Sequence, residues 1–196
     1  MNFRGRLVAL AAAALLVGAA GTAATARGSV WMNFARSSNT WSMLRYTWQD
    51  DSTGATRATQ SWRAGSGSTT DECASGAGWL PAGLYDVRGH WDNYDGSKIK
   101  GRVWYLSDKR CNGGSGTLRT ELFIHSEETA GGGQYCPTSY DDPFCWEGDF
   151  DYRSAGCIKV AHAPPYPSDI AKADNDWDGW DGRHGYFTFV AGLYVH

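Results

Sequence analysis

The residue of this chain best suited to covalent chemistry is a cysteine, Cys157, in a turn of small residues. Ser154, Ala155 and Gly156 come directly before it, and an apolar–polar alternation (I-K-V) follows it. This alternation predicts that the cysteine opens a short strand with one buried face. Because glycine has no side chain, we expect a substrate to approach the thiol closely there. The main-chain N–H groups of residues 155–157 are candidates for stabilising an oxyanion.

A histidine, His125, lies in a comparable position nearer the N-terminus. It stands near the end of an alternating stretch over residues 119–126, just before Ser126, and this stretch predicts a second strand. A neighbouring imidazole can act as base for a thiol, and it favours the reactive thiolate by lowering the thiol pKa. Cys157 and His125 are therefore the minimal parts of a nucleophile–base pair. The alternative is a buried structural cysteine and a core histidine whose ring is hydrogen-bonded.

Three stretches of the chain resemble one known family. Residues 124–126 read I-H-S, residues 154–159 read S-A-G-C-I-K, and residues 78–87 read G-W-L-P-A-G-L-Y-D-V. They are similar to the I-H-S strand, the S-x-G-C-[IV]-[RK] motif and the upstream G-x-[IL]-P-x-G-x-Y-x-[IV] strand of the L,D-transpeptidase (YkuD-like) catalytic domain superfamily. The likeness covers about residues 41–170. It is nearest to the branch of type VI secretion L,D-transpeptidase effector-like secreted domains.

The resemblance implies a cysteine L,D-transpeptidase or L,D-carboxypeptidase that acts on peptidoglycan stem peptides. Cys157 would form the acyl-enzyme, His125 would be the base, and the main chain at Ser126 would orient the imidazole ring. Substrate contacts and the oxyanion site would come from residues of the motif itself: Ser154, Ala155, Gly156 and Lys159. Two alternatives stay open. One is a non-catalytic, tryptophan-rich module that binds cell wall or glycan, and the other is a wall-damaging, toxin-like effector with the same site.

The chain departs from the family pattern at three places. Ala155 stands where the family usually has a second histidine, and Lys159 stands where an arginine is common. The gap between the two motifs is lengthened by an inserted segment, residues 131–147, which carries Cys136 and Cys145. Because this segment joins the two motif strands, we expect it to cover the site as a lid.

Alternation and turn signals predict an all-β fold, with one sandwich or barrel domain over residues 27–196 and at most one short helix. The predicted strands occupy residues 40–49, 55–64, 84–91, 99–106, 119–126, 157–160 and 186–195. The predicted helix occupies residues 166–173. Ten tryptophans and ten tyrosines suit twisted sheets and an aromatic surface groove.

Five cysteines allow two disulfides and leave one thiol over. Cys136 and Cys145 share one short segment, and Cys73 and Cys111 lie in Gly/Ser-rich turns, so these are the expected pairs. Cys157 is then the free thiol. The connectivity in which Cys157 is disulfide-bonded and another cysteine is free stays open.

Residues 1–26 have the pattern of a cleaved signal peptide: Arg4 and Arg6, an apolar run, and a small-residue site ending at Ala26. Its removal leaves 16 basic and 21 acidic residues, a net charge of −5. This charge disfavours nucleic acid and anionic membranes as partners. We therefore expect a secreted protein, extracellular or associated with the cell wall, that is monomeric and does not span a membrane.

No metal or cofactor is expected. Residues 174–179 read D-N-D-W-D-G, like the opening of a calcium loop, but Gly185 stands where the loop needs its bidentate glutamate. Glu147, Asp149 and Asp151 include a possible carboxylate pair for glycoside hydrolysis. Both acidic stretches are interpreted as turns that face solvent.

Overall fold

The structure is a computed structural model that describes residues 28–126, 130, 148–160 and 192–196. This part of the chain is built almost wholly of strands and contains only two short 3-10 helices, Asn112–Gly114 and Gly148–Tyr152, which confirms the predicted all-β class. None of its helices is long and apolar enough to cross a membrane. The strands are β1 (Gly28–Ala35), β2 (Ser42–Asp50), β3 (Thr56–Ser66), β4 (Gly83–Tyr85), β5 (Val87–Asp95), β6 (Lys100–Leu106), β7 (Lys109–Arg110), β8 (Leu118–Arg119), β9 (Phe123–His125), β10 (Ile158–Lys159) and β11 (Gly192–Val195).

Several predictions concern residues outside these ranges. They are the signal peptide over residues 1–26, the Cys136–Cys145 pair with its inserted segment, the helix over residues 166–173 and the acidic turn over residues 174–179. Of the predicted last strand, only β11 lies within the described residues.

Nine of the strands form one sheet in the order β4-β11-β1-β2-β3-β10-β9-β6-β5. Its edge strands, β4 and β5, are separated in the chain by Asp86 alone, so the sheet curls until its two edges come together at that residue. The Asp86 N–H donates to Ser107 Oγ over 3.1 Å, and the Ser107 N–H donates to the Asp86 carbonyl over 2.9 Å. One buried cluster inside the curl takes side chains from β1 at one end of the chain to β11 at the other.

The part of the sheet made by β6, β9 and β10 has two apolar faces. Ile124 and Ile158 point into the main core, whereas their neighbours Phe123 and Cys157 pack with Val103 in a second, smaller cluster. Alternate residues of a strand point to opposite faces, so one period-two pattern serves both the core and the outer face. Residues of the outer face are therefore free to form a site while the inner face holds the fold.

The strand predictions are confirmed for β2, β3, β6 and β10, and corrected elsewhere. The predicted strand over residues 119–126 is wrong as a single element, because Glu121 has a left-handed backbone (φ 54°) that separates β8 from β9. The predicted strand over residues 84–91 is also wrong as a single element, because Asp86 separates β4 from β5, which are the two edge strands of the sheet. Strand β5 runs on to Asp95, so the turn is the four residues 96–99, not 92–97. Strand β1 has no counterpart among the predicted strands, although Val30, Met32 and Phe34 alternate and are buried.

Candidate active site

Cys157 and His125 lie on neighbouring parallel strands that face the same groove. In the pairing of β9 with β10, Ile124 lies opposite Ile158 and His125 lies opposite Lys159. Cys157 is thus two residues along the strands from His125, and standard strand spacings put their Cα atoms ~8 Å apart. Both side chains line one groove of about 840 Å³. The fold brings the predicted nucleophile and the predicted base together.

The His125 ring is buried, with 9% of its surface exposed, and its orientation is set by the main chain. Nδ1 lies 2.7 Å from the carbonyl oxygen of Ser126, which can only accept a hydrogen bond. Nδ1 therefore carries the ring proton in the neutral imidazole, and Nε2 keeps its lone pair. Burial, together with the positive charge of Lys159, lowers the His125 pKa to about 4, although the Ser126 hydrogen bond acts in the opposite direction. The imidazole is neutral at pH 7.

The Cys157 thiol is a free cysteine and is buried. It lies between two groups of one turn, since Sγ donates to the Glu121 carbonyl oxygen over 3.7 Å and accepts a hydrogen bond from the Phe123 main chain. Burial raises the thiol pKa to about 11, and Glu121 adds to this rise, while the Phe123 hydrogen bond and the Arg119 charge oppose it. The expectation that the imidazole lowers the thiol pKa is therefore wrong. Desolvation of the sulfur is the largest cause of the shift, and the neutral His125 carries no positive charge to stabilise a thiolate.

The turn before the nucleophile is organised by Ser154. Its Oγ accepts the N–H groups of Gly67 (2.9 Å) and Gly156 (3.1 Å) and donates to the Cys157 carbonyl (2.6 Å). The Gly156 N–H is therefore used within the turn, which corrects the expectation that all three N–H groups of residues 155–157 are free for an oxyanion. The role of Ser154 seen here is to shape the turn.

A buried arginine, Arg119, occupies the space that Gly156 leaves open. Gly156 has φ +126°, and a Cβ atom built there would lie 2.0 Å from Arg119 Nη2. The glycine is thus needed for contact with the guanidinium, which corrects the expectation that a substrate approaches at this point. Arg119 is 6% exposed and donates to the carbonyls of Glu72 (2.6 Å) and Ala155 (3.3 Å). No sequence pattern singled out Arg119, because both of its partners are distant in the chain.

The other predicted contact residues lie along the groove. Lys159 is half-buried, and the Ala155 side chain is exposed at the groove wall. Ser126 is buried and contributes its main chain, since its N–H donates to the Arg102 carbonyl over 3.2 Å and its carbonyl oxygen receives the His125 hydrogen bond.

An aromatic wall forms one side of the groove. Trp91 contacts Tyr94 (6.1 Å between centroids), Tyr94 contacts Phe123 (5.6 Å), and Phe123 contacts Tyr105 (5.0 Å). Trp91 is 44% exposed. The predicted aromatic groove is therefore present, although the tryptophans at positions 48, 62 and 104 are in the core.

The Cys73–Cys111 disulfide is present, as predicted. It joins the loop that contains Glu72 to the β7–β8 hairpin that contains Arg119. It closes a loop with a sequence separation of 38, and such a loop stabilises a fold by about 4 kcal/mol on the chain-entropy model.

The acidic turn before the motif was expected to face solvent, and this is only half correct. Asp149 is exposed and pairs with Arg63, whereas Asp151 is buried. Arg63 Cζ lies 3.9 Å from the ring centroid of Trp41 and 4.0 Å from that of Tyr152, so Arg63 of β3 contacts the turn through both Asp149 and Tyr152. Within the described ranges, no three His, Cys, Asp or Glu side chains are grouped so as to hold a metal ion.

Comparison with protein-family models finds no match for this chain, and comparison with curated proteins finds none either. Membership of the L,D-transpeptidase superfamily therefore stays a proposal carried by the motif residues.

Proposed function

We propose that the chain is a secreted cysteine L,D-transpeptidase or L,D-carboxypeptidase that acts on peptidoglycan stem peptides. Cys157 is the nucleophile and His125 is its base. The observation that carries this proposal is the Nδ1–H hydrogen bond of His125 to the Ser126 carbonyl, 2.7 Å long. It leaves Nε2 as a proton acceptor in the groove that also holds the thiol.

The lowered pKa of His125 and the raised pKa of Cys157 favour one way of activating the thiol. With a pKa of about 11, about one Cys157 side chain in 10⁴ is a thiolate at pH 7. A preformed thiolate–imidazolium pair is therefore not the resting state. Proton transfer from sulfur to Nε2 must accompany the attack, which is general-base catalysis.

In the proposed reaction, Cys157 Sγ attacks the carbonyl carbon at the L-centre of the diamino acid while its proton moves to His125 Nε2. The carbonyl oxygen becomes an oxyanion. Collapse of this intermediate re-forms the carbonyl, breaks the bond to the terminal D-alanine and returns the proton to the departing amine. The thioester is then taken by an amine acceptor or by water, and His125 again removes and returns one proton. Burial, with the Lys159 charge, lowers the His125 pKa, so the imidazolium gives up its proton readily.

The charge of the groove supports an anionic acyl donor. Four cationic side chains, Lys98, Arg119, Arg153 and Lys159, line it in the described part of the chain, together with one carboxylate, that of Glu121. A stem peptide presents carboxylates beside its peptide bonds, so its charge is complementary to this lining.

The aromatic wall favours a second candidate function, a non-catalytic module that binds cell wall or glycan. Exposed rings such as that of Trp91 are suitable for stacking on sugar faces. In this function the buried thiol and imidazole would be packing residues only.

The two functions are separated by acylation of the purified protein with a carbapenem-type β-lactam, followed by peptide mapping. We expect one adduct on Cys157, no adduct in Cys157→Ser, and release of D-alanine from a tetrapeptide stem by the wild type alone. His125→Ala should reduce both rates by ~10² to 10⁴, the usual contribution of a general base. Near-ultraviolet circular dichroism checks that each variant keeps its packing.

A folded wild-type protein that binds stem peptides without acylation at Cys157 would refute the enzyme and support the binding module. A His125→Ala variant that acylates at the wild-type rate would refute the assignment of the base.

A further inference from the structure

Arg119 is a buried cation whose described partners are uncharged. It is 6% exposed, and its two hydrogen bonds go to main-chain carbonyls, those of Glu72 and Ala155. No ion pair joins it to a carboxylate of the described residues. A buried charge without an opposite charge is costly, so its position calls for an anion that forms or arrives nearby.

The nucleophile turn is built around this guanidinium. Arg119 Nη2 donates a hydrogen bond to the Ala155 carbonyl and occupies the space that a side chain at position 156 would need. Cys157 is the next residue, and Arg119 lines the same groove as the thiol.

Arg119 is itself held firmly from the side away from the turn. Its Nη1 donates to the main chain of Glu72, whose carboxylate pairs with Arg36 and accepts the Ala82 N–H over 3.0 Å. The next residue, Cys73, is in the disulfide to the Arg119 hairpin. The positive charge is therefore preorganised, which is what stabilises a developing negative charge most effectively.

We propose that Arg119 is a positioning residue for the reaction of Cys157. Its guanidinium fixes the main chain of residues 155–157 and supplies the permanent positive charge beside the sulfur as it becomes anionic. The inference rests on the proposed function and adds the group that compensates the negative charge. Four other charged side chains line this groove: Lys98 from the turn before β6, Glu121 from the turn before β9, Arg153 from the segment before the nucleophile turn, and Lys159 from β10. Of these five side chains, only that of Arg119 belongs to a residue that is more than nine-tenths buried, and its hydrogen bond to the Ala155 carbonyl joins it to the nucleophile turn.

The test measures alkylation of Cys157 at pH 8 by neutral iodoacetamide and by anionic iodoacetate, with peptide mapping. Arg119→Met should slow both reagents by about tenfold or more, because an opposite charge nearby favours a thiolate by one pKa unit or more. Arg119→Lys keeps a charge but loses the paired hydrogen bonds, so its rates should lie between those of the wild type and Arg119→Met.

Arg110→Met is the matched control. Arg110 lies in the same hairpin and also donates to a carbonyl, that of Gly116, but it does not line the groove. Its rates should stay within about twofold of the wild type, because it removes a charge that does not contact the turn.

Unchanged alkylation in Arg119→Met would overturn the proposal. So would a loss with iodoacetate alone, which would make Arg119 a subsite for substrate carboxylates. If Arg119→Met and Arg119→Lys both fail to fold while Arg110→Met folds, Arg119 is a structural residue and the proposal is refuted.

Acylation by the β-lactam distinguishes failure of the Arg119 proposal from failure of the proposed function. Arg119-dependent alkylation in a wild type that the β-lactam never acylates refutes the transpeptidase and supports the role of Arg119 at the thiol. Equal acylation of wild type and Arg119→Met refutes the Arg119 role alone.

Discussion

Replacement of His125 by asparagine should make the protein less sensitive to acid, because it removes a histidine that is buried in its neutral form. Its pKa is about 4 in the folded protein and 6.5 when unperturbed. Between these values the unfolded chain binds a proton that the folded protein does not, so the free energy of unfolding falls as the pH falls. The contribution is fully present above pH 6.5 and lost by pH 4. A difference of about 2.5 pKa units corresponds to about 3 kcal/mol.

The measurement is urea unfolding of wild type and His125→Asn at pH values from 4 to 8. Asparagine does not titrate, and its amide N–H can replace Nδ1–H as donor to the Ser126 carbonyl. The wild type should lose about 3 kcal/mol more than the variant over this range, the amount set by the shifted pKa. Carboxylates contribute equally to both proteins and cancel in the comparison. His196→Asn, at an exposed histidine, is the control and should follow the wild type. Parallel curves for wild type and His125→Asn would refute the buried neutral imidazole, and with it the assignment of the free Nε2.

Three further predictions concern the thiol and its turn. The rate of Cys157 alkylation by iodoacetamide should rise about tenfold per pH unit from pH 7 to 9, because the thiol pKa of about 11 lies above this range. The rate is measured by peptide mapping with Cys157→Ser as blank, and a plateau below pH 8 would contradict the raised pKa. Ser154→Ala should cost about 1–3 kcal/mol in urea unfolding and slow β-lactam acylation, because two N–H groups lose their acceptor; unchanged acylation would show that the turn keeps its shape without the hydroxyl. Ala155→His should raise the ratio of transfer product to hydrolysis product formed from a tetrapeptide stem and an amine acceptor, because it places the second histidine of the L,D-transpeptidase motif on an exposed groove position. An unchanged product ratio, measured by chromatography, would exclude a role of that histidine in transfer.

The parts of the fold that could be predicted are those set by neighbouring residues. Alternation around Ile158 predicted β10 and the position of Cys157 at its start, and the turn signal at residues 50–54 predicted the β2–β3 hairpin. The Cys73–Cys111 pair followed from parity and loop composition. In each case the deciding information lies within a few residues, or in a count of the whole chain.

The parts that could not be predicted depend on residues far apart in the chain. Arg119 meets the Glu72 and Ala155 carbonyls, which lie 47 and 36 positions away from it. The left-handed backbone of Glu121 interrupts an alternation that reads as continuous in the sequence, and glutamate has no particular preference for it. The direction of the Cys157 pKa shift depends on burial, which alternation predicts only as a side of a strand and never as a depth.

The raised thiol pKa has a consequence for a nucleophile in a disulfide-bonded protein. If the protein is secreted, as we propose, an exposed thiolate would exchange with disulfides such as Cys73–Cys111. A rise in pKa from 9 to about 11 reduces the thiolate fraction of Cys157 about a hundredfold at neutral pH, and burial restricts access further. The same features slow the chemistry unless the proton is removed during the attack. In the proposed mechanism, His125 accepts that proton during the attack and the Arg119 charge compensates the sulfur as it becomes anionic. On this proposal the thiol is protected at rest by burial and its raised pKa, and it becomes nucleophilic only as its proton is removed, which a permanently ionised cysteine could not combine.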